Sequence, residues 1–140
     1  AINLIPSVLV ENTWRLLKTR LIIILQFFYL DLTKNHIGNI SVFVDVNNKI
    51  ADISIMVGDR KYWGKGYGGG AFIGVVNFLK ELKIRKITAG TIETNHAMIK
   101  IMKKAAMAED GRRIKHFVHQ GKKVDIVYSS FFPLCEKSHN

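Results

Sequence analysis

Five glycines stand within ten residues of this chain, and they constrain the fold more than any other feature. Residues 62–71 are Tyr-Trp-Gly-Lys-Gly-Tyr-Gly-Gly-Gly-Ala. Glycine has no side chain and tolerates backbone angles that aim successive N–H groups into one concavity. The pattern predicts a strand at residues 51–57 before the cluster and a helix at residues 72–82 after it. A glycine loop between strand and helix is a candidate phosphate-binding loop, because the helix N-terminus adds donors and partial positive charge. The alternative is a flexible surface turn.

Composition limits the class of protein. The chain has 140 residues, of which 48% are hydrophobic and 23% charged, and this predicts a single globular domain over residues 1–140. Its longest apolar run, Leu21–Leu30, is shorter than the ~20 residues of a membrane-spanning helix. The first ten residues lack the basic start of a signal peptide. The one cysteine, Cys135, excludes an internal disulfide and a cysteine-based metal site. We therefore expect a cytoplasmic protein with no membrane segment and no metal.

The formal net charge of +10 predicts attraction to an anionic molecule, such as a phosphorylated cofactor, a ribosomal surface or nucleic acid. The basic residues are not interleaved with aromatic ones as in RNA-binding surfaces, so we expect nucleic acid not to be the main partner. His116 and His119 could converge, but no third metal ligand is evident beside them.

Apolar periodicity predicts an α+β fold with a central mixed, mostly antiparallel sheet flanked by helices. The strand at residues 51–57, the helix after the glycines and the strand Lys86–Ile92 form a crossover, which predicts a parallel strand pair. Asn95 is a predicted N-cap for a second helix. The other predicted elements are a helix at residues 6–19, strands at 21–30 and 40–44, and a closing hairpin of strands at 114–118 and 124–128.

Two familiar phosphate loops fit the glycine cluster poorly. Gly64-x-Gly66-x-x-Gly69 satisfies the dinucleotide fingerprint, and Glu93 follows about where a ribose-binding acid would lie. In that fold the first glycine follows its strand almost directly, whereas six residues separate Val57 from Gly64 here. An NAD-type dinucleotide binder is thus a remote alternative. No Gly-Lys-Ser/Thr ends the run, which argues against a nucleotide triphosphate loop.

The segment from Ala51 to Asn95 resembles the acyl-coenzyme A site of the GNAT superfamily of N-acetyltransferases, in particular the ribosomal-protein-alanine (Rim-type) branch. The similar segments are Ala51–Asp59, Tyr62–Gly68, His36–Ile40, Glu93–Asn95 and Gly121–Asp125. The resemblance covers roughly residues 36 to 130 in the family's order. It implies a GNAT-like fold, acetyl-coenzyme A as cofactor, and direct acetyl transfer to a primary amine on a protein N-terminus or a small molecule. The net charge disfavours polyamine acceptors.

The resemblance also implies which residues hold the cofactor. Backbone N–H groups of the loop would bind the pyrophosphate, and backbone groups at the end of the preceding strand would pair with the pantetheine arm. Asn95 would contact the cofactor or act as a plain helix cap, and Lys104 would reach the nucleotide phosphates. The implied loop and strand positions are Met56, Val57, Gly64, Lys65, Gly66, Tyr67, Gly68 and Gly69.

The chain departs from the family pattern where a proton donor is usual. Met98 and Met102 occupy positions where family members often carry serine and tyrosine, and Ala106-Met107 replaces a Gly-Phe pair. Tyr67, Tyr128 or water are therefore the candidate donors to the leaving thiolate. Asp52 or Asp59 could accept the proton of the amine, although a surface carboxylate is the plainer interpretation of Asp52. These departures leave a catalytically weak or inactive coenzyme A-binding module as the alternative function.

The N-terminal part is also shorter than in the family, where a strand and a helix pair usually precede the first hairpin. Only one predicted helix, at residues 6–19, precedes it here. The resemblance therefore predicts a fold that is shortened at its N-terminus.

Overall fold

Two antiparallel strands begin the part of the chain that the computed structural model describes, residues 37–133. Strands β1 (Gly38–Asp45) and β2 (Ile50–Val57) alternate buried apolar side chains with more exposed ones, as expected for a sheet with one face in the core. The turn between them is closed by Asp45, whose carboxylate accepts a hydrogen bond from the Asn48 N–H. The predictions for residues 6–19, residues 21–30 and Cys135 lie outside the described residues.

A helix carries the chain from β2 to a parallel neighbour. Helix α1 (Tyr67–Glu81) lies between β2 and β3 (Lys86–Ile92), and β3 pairs in parallel with β2. A parallel pair needs such a crossover because a short turn cannot return the chain to the same end of the sheet. The predicted crossover is confirmed.

The remaining elements complete a five-stranded mixed sheet. Helix α2 (His96–Lys104) follows β3, and strands β4 (Ala108–His119) and β5 (Lys122–Phe131) form an antiparallel hairpin. The strand order is β1-β2-β3-β5-β4, in which only the β2–β3 contact is parallel. The predicted α+β class and mostly antiparallel sheet are therefore confirmed.

Both helices pack on one face of the sheet, which we call the helix face. Its core includes Ile40, Ile53 and Ile87 from the strands and Phe72 and Met102 from the helices, all of them at most 2% exposed. Because strand side chains alternate, the other face carries the intervening residues. We call it the far face; it includes Asp52, Met56, Thr88, Gly90 and Tyr128.

The largest differences from the predicted boundaries are at the starts of α1 and β4. Helix α1 begins at Tyr67 rather than at residue 72, because three glycines adopt helical angles where the helix packs on β2. Strand β4 is longer than the predicted 114–118 and is exposed along its whole length. Its polar residues hide the strand from a pattern search, and two register shifts, at Glu109/Gly111 and Arg113/Phe117, break its alternation.

Candidate active site

Strands β2 and β3 part halfway along their length. Their pairing covers only Ile50–Asp52 with Lys86–Thr88, although β2 continues to Val57 and β3 to Ile92. Beyond this point β3 stays paired with β5 through Ile92, while β2 stays paired with β1 through Val57. The sheet therefore opens into a V-shaped cleft whose two arms carry backbone groups outside the β2–β3 ladder.

The N-terminus of α1 lies beside the β2 arm of this cleft. Gly66 is the N-cap with φ of +84°, and it makes no side-chain capping hydrogen bond. Gly70 donates its N–H to the Gly66 carbonyl at 2.9 Å, so the N–H groups of Gly68 and Gly69 precede the first intrahelical bond. Donors at a helix N-terminus, together with the helix dipole, favour a phosphate.

Glycine is needed here for two separate reasons. Gly64 and Gly66 have φ of +72° and +84°, in the left-handed region that residues with a Cβ avoid. Gly68 has helical angles, but a Cβ there would lie 3.3 Å from a methyl group of Val57. The first two glycines shape the loop, and the third allows the helix to approach β2 closely. Lys65 lies exposed between the loop glycines.

The β1–β2 ladder decides which β2 backbone groups face the cleft. Gly58 donates its N–H to the Ile37 carbonyl at 3.0 Å, which fixes the alternation of the antiparallel pair. By that alternation the N–H and C=O of Met56 point toward β1, and a Cβ at Gly38 would clash with the Met56 carbonyl oxygen. The backbone groups of Ile55 and Val57 point toward β3. The Met56 backbone, expected to pair with the pantetheine arm, is thus turned toward β1, and its side chain lies exposed on the far face.

Trp63 lies at the mouth of the cleft. Its indole Nε1 donates to the Val57 carbonyl at 2.9 Å, and the ring is 59% exposed. The guanidinium of Arg60 lies 5.7 Å from the ring centre. The contact fixes the loop before α1 against the end of β2. Nothing in the sequence pattern had singled out this tryptophan apart from its place in the glycine segment.

Helix α2 begins at Asn95 as predicted. The Asn95 Oδ1 accepts the Met98 N–H at 3.1 Å, which is the geometry of an N-cap and leaves the side-chain NH₂ as a donor. Farther along α2, Ile101 lies 3.8 Å from the Cβ positions of Gly68 and Gly69. Lys104 follows Ile101 by three residues, so the two share one side of the helix, and Lys104 is exposed.

The two methionines at the expected proton-donor positions belong to the core. Met98 is 9% exposed and Met102 is 1% exposed, and both pack in the cluster between the helices and the sheet. Their side chains cannot donate a proton. This face of α2 therefore stabilises the fold and supplies no chemical group.

A carboxylate lies on the far face where the strands part. Asp52 and Thr88 form the last pair of the β2–β3 ladder, and the Thr88 hydroxyl donates to Asp52 Oδ1. Burial raises the pKa of Asp52, and the Thr88 hydrogen bond opposes the rise. A half-buried carboxylate with a raised pKa is suited to accept a proton. The hydrogen bond between Thr88 and Asp52 was not predicted. The predicted crossover placed β3 beside β2, but it did not indicate which residues of the two strands lie opposite each other.

Tyr128 shares the far face with Asp52. It stands opposite Gly90 on β3, and a Cβ at Gly90 would lie 2.8 Å from the tyrosine ring. The ring therefore lies over the β3 arm, and the Arg113 guanidinium is 5.4 Å from its centre. Tyr67, in contrast, lies at the start of α1 with its ring 5.7 Å from that of Tyr62. Of the two candidate donors, the structure brings Tyr128 to the same face as Asp52 and keeps Tyr67 with the helix N-terminus.

Within residues 37–133, no three His, Cys, Asp or Glu side chains gather as a metal-ligand set. In this part of the chain, no helix is long and apolar enough to cross a bilayer.

Comparison with known proteins gives one family and a set of similar folds. The family model described as an acetyltransferase (GNAT) domain matches residues 8–108. No curated protein matches the chain. The assignment to a narrower branch, the Rim-type enzymes, has no support among these matches.

Several solved structures share the fold. A chimera of the spermidine N-acetyltransferase SpeG from Vibrio cholerae and hSSAT is 18% identical, with a TM-score of 0.69 over 77% of this chain and 66% of its own. The dodecameric spermidine N-acetyltransferase from Vibrio cholerae has a TM-score of 0.67 at 18% identity, over 74% of this chain and 61% of its own. A GNAT-family acetyltransferase from Bacillus anthracis has a TM-score of 0.61 at 23% identity, over 69% of this chain and 58% of its own. The chain thus spans about two thirds or less of the length of these proteins.

Proposed function

This chain belongs to the GNAT acetyltransferase family, and on that premise we propose that it binds acetyl-coenzyme A in the cleft between β2 and β3 and transfers the acetyl group directly to a primary amine. The observation that carries the proposal is the parting of the two strands beside a helix N-terminus capped by glycine. An extended pantetheine arm needs strand-like partners, and a pyrophosphate needs clustered N–H donors.

The residues of the cleft fit this cofactor. The N–H groups of Gly68 and Gly69 would hold the pyrophosphate. The N–H and C=O of Ile55 and the N–H of Val57 would pair with the pantetheine arm, because the Val57 carbonyl already accepts from Trp63 Nε1. Lys65 is an exposed cation next to the α1 N-cap, and Lys104 is an exposed cation on α2; we propose that both add to the positive potential around the pyrophosphate. When bound, the cofactor supplies a thioester carbonyl that a neutral amine can attack.

Asp52 is proposed as the proton acceptor. An amine that forms the new bond to the acetyl carbon must lose a proton, and a carboxylate with a raised pKa can take it directly or through one water molecule. The departing thiolate must gain a proton, and the phenol hydroxyl of Tyr128, on the same far face as Asp52, is proposed to supply it. In this scheme Tyr67 shapes the start of α1 and moves no proton.

The acceptor is proposed to be a primary amine on a protein N-terminus or a small molecule. The SpeG proteins named above act on spermidine, and this chain shares only their fold. The formal charge of +10 opposes the approach of a polycation unless the local surface is acidic. A panel of peptide N-termini, monoamines and spermidine would identify the class.

Calorimetric titration with acetyl-coenzyme A, followed by a thiol-release assay across that panel, tests the proposal. We expect binding, together with turnover of at least one amine. Asp52→Asn should keep the binding and lower kcat by about 10²-fold. Glu81→Gln is the matched control, because Glu81 is an exposed carboxylate at the far end of α1. If acetyl-coenzyme A does not bind, the function is wrong.

A second candidate function is a coenzyme A-binding module without turnover. It is favoured by the burial of Met98 and Met102, neither of which can donate a proton at the two positions where the family resemblance implies a donor. Binding of acetyl-coenzyme A with no thiol release on any acceptor would support it. Binding of NAD in place of acetyl-coenzyme A would instead revive the dinucleotide alternative.

A further inference from the structure

A single arginine links three carboxylates at the end of β3. Arg112, on the edge strand β4, donates from Nη1 to Glu93 Oε2 and to Asp125 Oδ2, both at 3.1 Å. Its Nε donates to Glu109 at 3.2 Å. Glu93 immediately follows β3, whereas Asp125 lies on β5, so Arg112 reaches across β5 to the last residue of the β3 arm.

Backbone hydrogen bonds join the same residues, and we call the group of Arg112, Glu93 and Asp125 the junction. The Glu93 N–H donates to the Asp125 carbonyl at 3.0 Å, and the Asp125 N–H donates back to Glu93 Oε1 at 3.0 Å. The Lys115 N–H also donates to Asp125 at 2.8 Å. This hydrogen bond, followed by that of Arg112, lowers the pKa of Asp125, so its carboxylate stays ionised at neutral pH.

The junction stands where the β3 arm receives no support from β2. Pairing with β2 ends at Thr88, so the stretch from Ala89 onward is held in the sheet from the β5 side alone. Two residues after Glu93, Asn95 caps α2. The position of one wall of the cleft, and of the helix that begins there, therefore depends on how firmly Glu93 is held to the β4–β5 hairpin.

We propose that Arg112 is a positioning residue for the cofactor cleft: through Glu93 and Asp125 it holds the β3 arm and the start of α2 apart from β2. This inference rests on the proposed acetyl-coenzyme A site. Arg112 does not itself touch the cofactor in this scheme. Its contribution is a cleft whose width is set before the cofactor arrives, which lowers the ordering cost of binding.

A purely stabilising ion pair is the competing interpretation. Exposed ion pairs contribute little to folding, and β4 is already joined to β5 along most of its length. An effect on cofactor binding that exceeds any effect on unfolding would therefore separate positioning from stability.

The experiment measures the acetyl-coenzyme A dissociation constant by calorimetry, together with KM, kcat and the melting temperature. Arg112→Gln should raise the dissociation constant and KM about three- to tenfold, with kcat within about twofold and the melting temperature nearly unchanged. Arg112→Lys should recover part of the affinity. Lys123→Gln, on the same hairpin and with no ion pair among the described residues, controls for the loss of one positive charge.

Glu93→Gln is the decisive variant because charge and positioning predict opposite results. Removing a negative charge should strengthen binding of an anionic cofactor at long range, whereas loosening the junction should weaken it. Weaker binding in Glu93→Gln supports the inference. Unchanged or tighter binding overturns it, and this variant keeps the test available if Arg112→Gln does not fold. If the wild-type protein fails to bind acetyl-coenzyme A, the proposed function falls, and this inference falls with it.

Discussion

Substituting Ala106 by glycine should stabilise the protein, although glycine normally weakens structure. Ala106 follows α2 and has φ of +60°. The Met107 N–H donates to Met102 O, and the Ala106 N–H donates to Lys103 O, both at 3.0 Å, which is the Schellman arrangement at a helix C-terminus. That arrangement requires a left-handed residue at this position, and glycine adopts it without steric cost.

The magnitude follows from two opposing effects. A residue with a Cβ loses roughly 1–2 kcal/mol in the left-handed region, and glycine loses roughly 0.5–1 kcal/mol more backbone entropy on folding than alanine. The Ala106 side chain is exposed, so no apolar burial is lost. Ala106→Gly should therefore raise the free energy of unfolding by about 0.5–1 kcal/mol, which corresponds to a melting temperature higher by roughly 2–4 °C in a domain of this size.

A second site repeats the geometry and allows an independent check. Lys83, after α1, has φ of +57°; its N–H donates to Lys80 O at 3.0 Å, and the Ile84 N–H donates to Leu79 O at 3.2 Å. Lys83→Gly should give a similar gain, and the two gains should add because the sites end different helices. The assay is urea denaturation followed by circular dichroism. Glu81→Gly, inside the last turn of α1, is the control and should lose up to about 1 kcal/mol. Destabilisation at Ala106 or Lys83 as large as in this control would refute the reasoning.

Three further predictions concern the cleft. Gly66→Ala should weaken acetyl-coenzyme A binding and lower the melting temperature, because position 66 has φ of +84°; unchanged binding by calorimetry would contradict the loop assignment. Asp52→Asn should raise the melting temperature at neutral pH, because the raised pKa of Asp52 means that its ionised carboxylate destabilises the fold. The difference in melting temperature between variant and wild type should shrink as the pH falls through the folded-state pKa of Asp52, and a difference that stays constant with pH would argue against this explanation. Gly90→Ala should displace the Tyr128 ring, because the new Cβ would lie 2.8 Å from a ring carbon. If Tyr128 protonates the thiolate, kcat of Gly90→Ala should fall as far as that of Tyr128→Phe, and full activity in both variants would exclude that role for Tyr128.

Much of the fold was predictable because its signals are local. The alternation in β1 and β2, the helical spacing in α1 and the cap at Asn95 each depend on a few neighbouring residues. Strand β4 was less predictable, because an exposed edge strand with two register shifts has no apolar period to detect. The start of α1 was misplaced because helix propensity opposes glycine, whereas close packing of Gly68 on Val57 favours it.

Sequence patterns found the local features of the candidate site and missed its side-chain pairs. The loop glycines stand in one short stretch, and Asn95 directly precedes its helix, so each is a local signal. Met56 and Val57 were named together from the sequence, although an antiparallel ladder turns only alternate backbone groups toward the cleft. Thr88 and Arg112 were missed because their partners, Asp52 and Glu93, are distant in sequence.

In the proposed scheme, binding and turnover depend on different parts of this molecule. The proposed cofactor contacts are mainly backbone groups of β2 and α1, which persist as long as the glycines and the helix packing persist. The proposed proton transfers depend on two side chains of the far face, Asp52 and Tyr128, whose loss would leave the ladder, the core and the loop intact. Met98 and Met102 pack in the core and cannot donate a proton, but this does not bear on whether side chains of the far face can. A chain of this design can lose turnover by one substitution and still bind the cofactor. Cofactor binding alone therefore cannot decide between the enzyme and the coenzyme A-binding module without turnover. If Asp52→Asn loses turnover but keeps its affinity for acetyl-coenzyme A, the result decides for the enzyme.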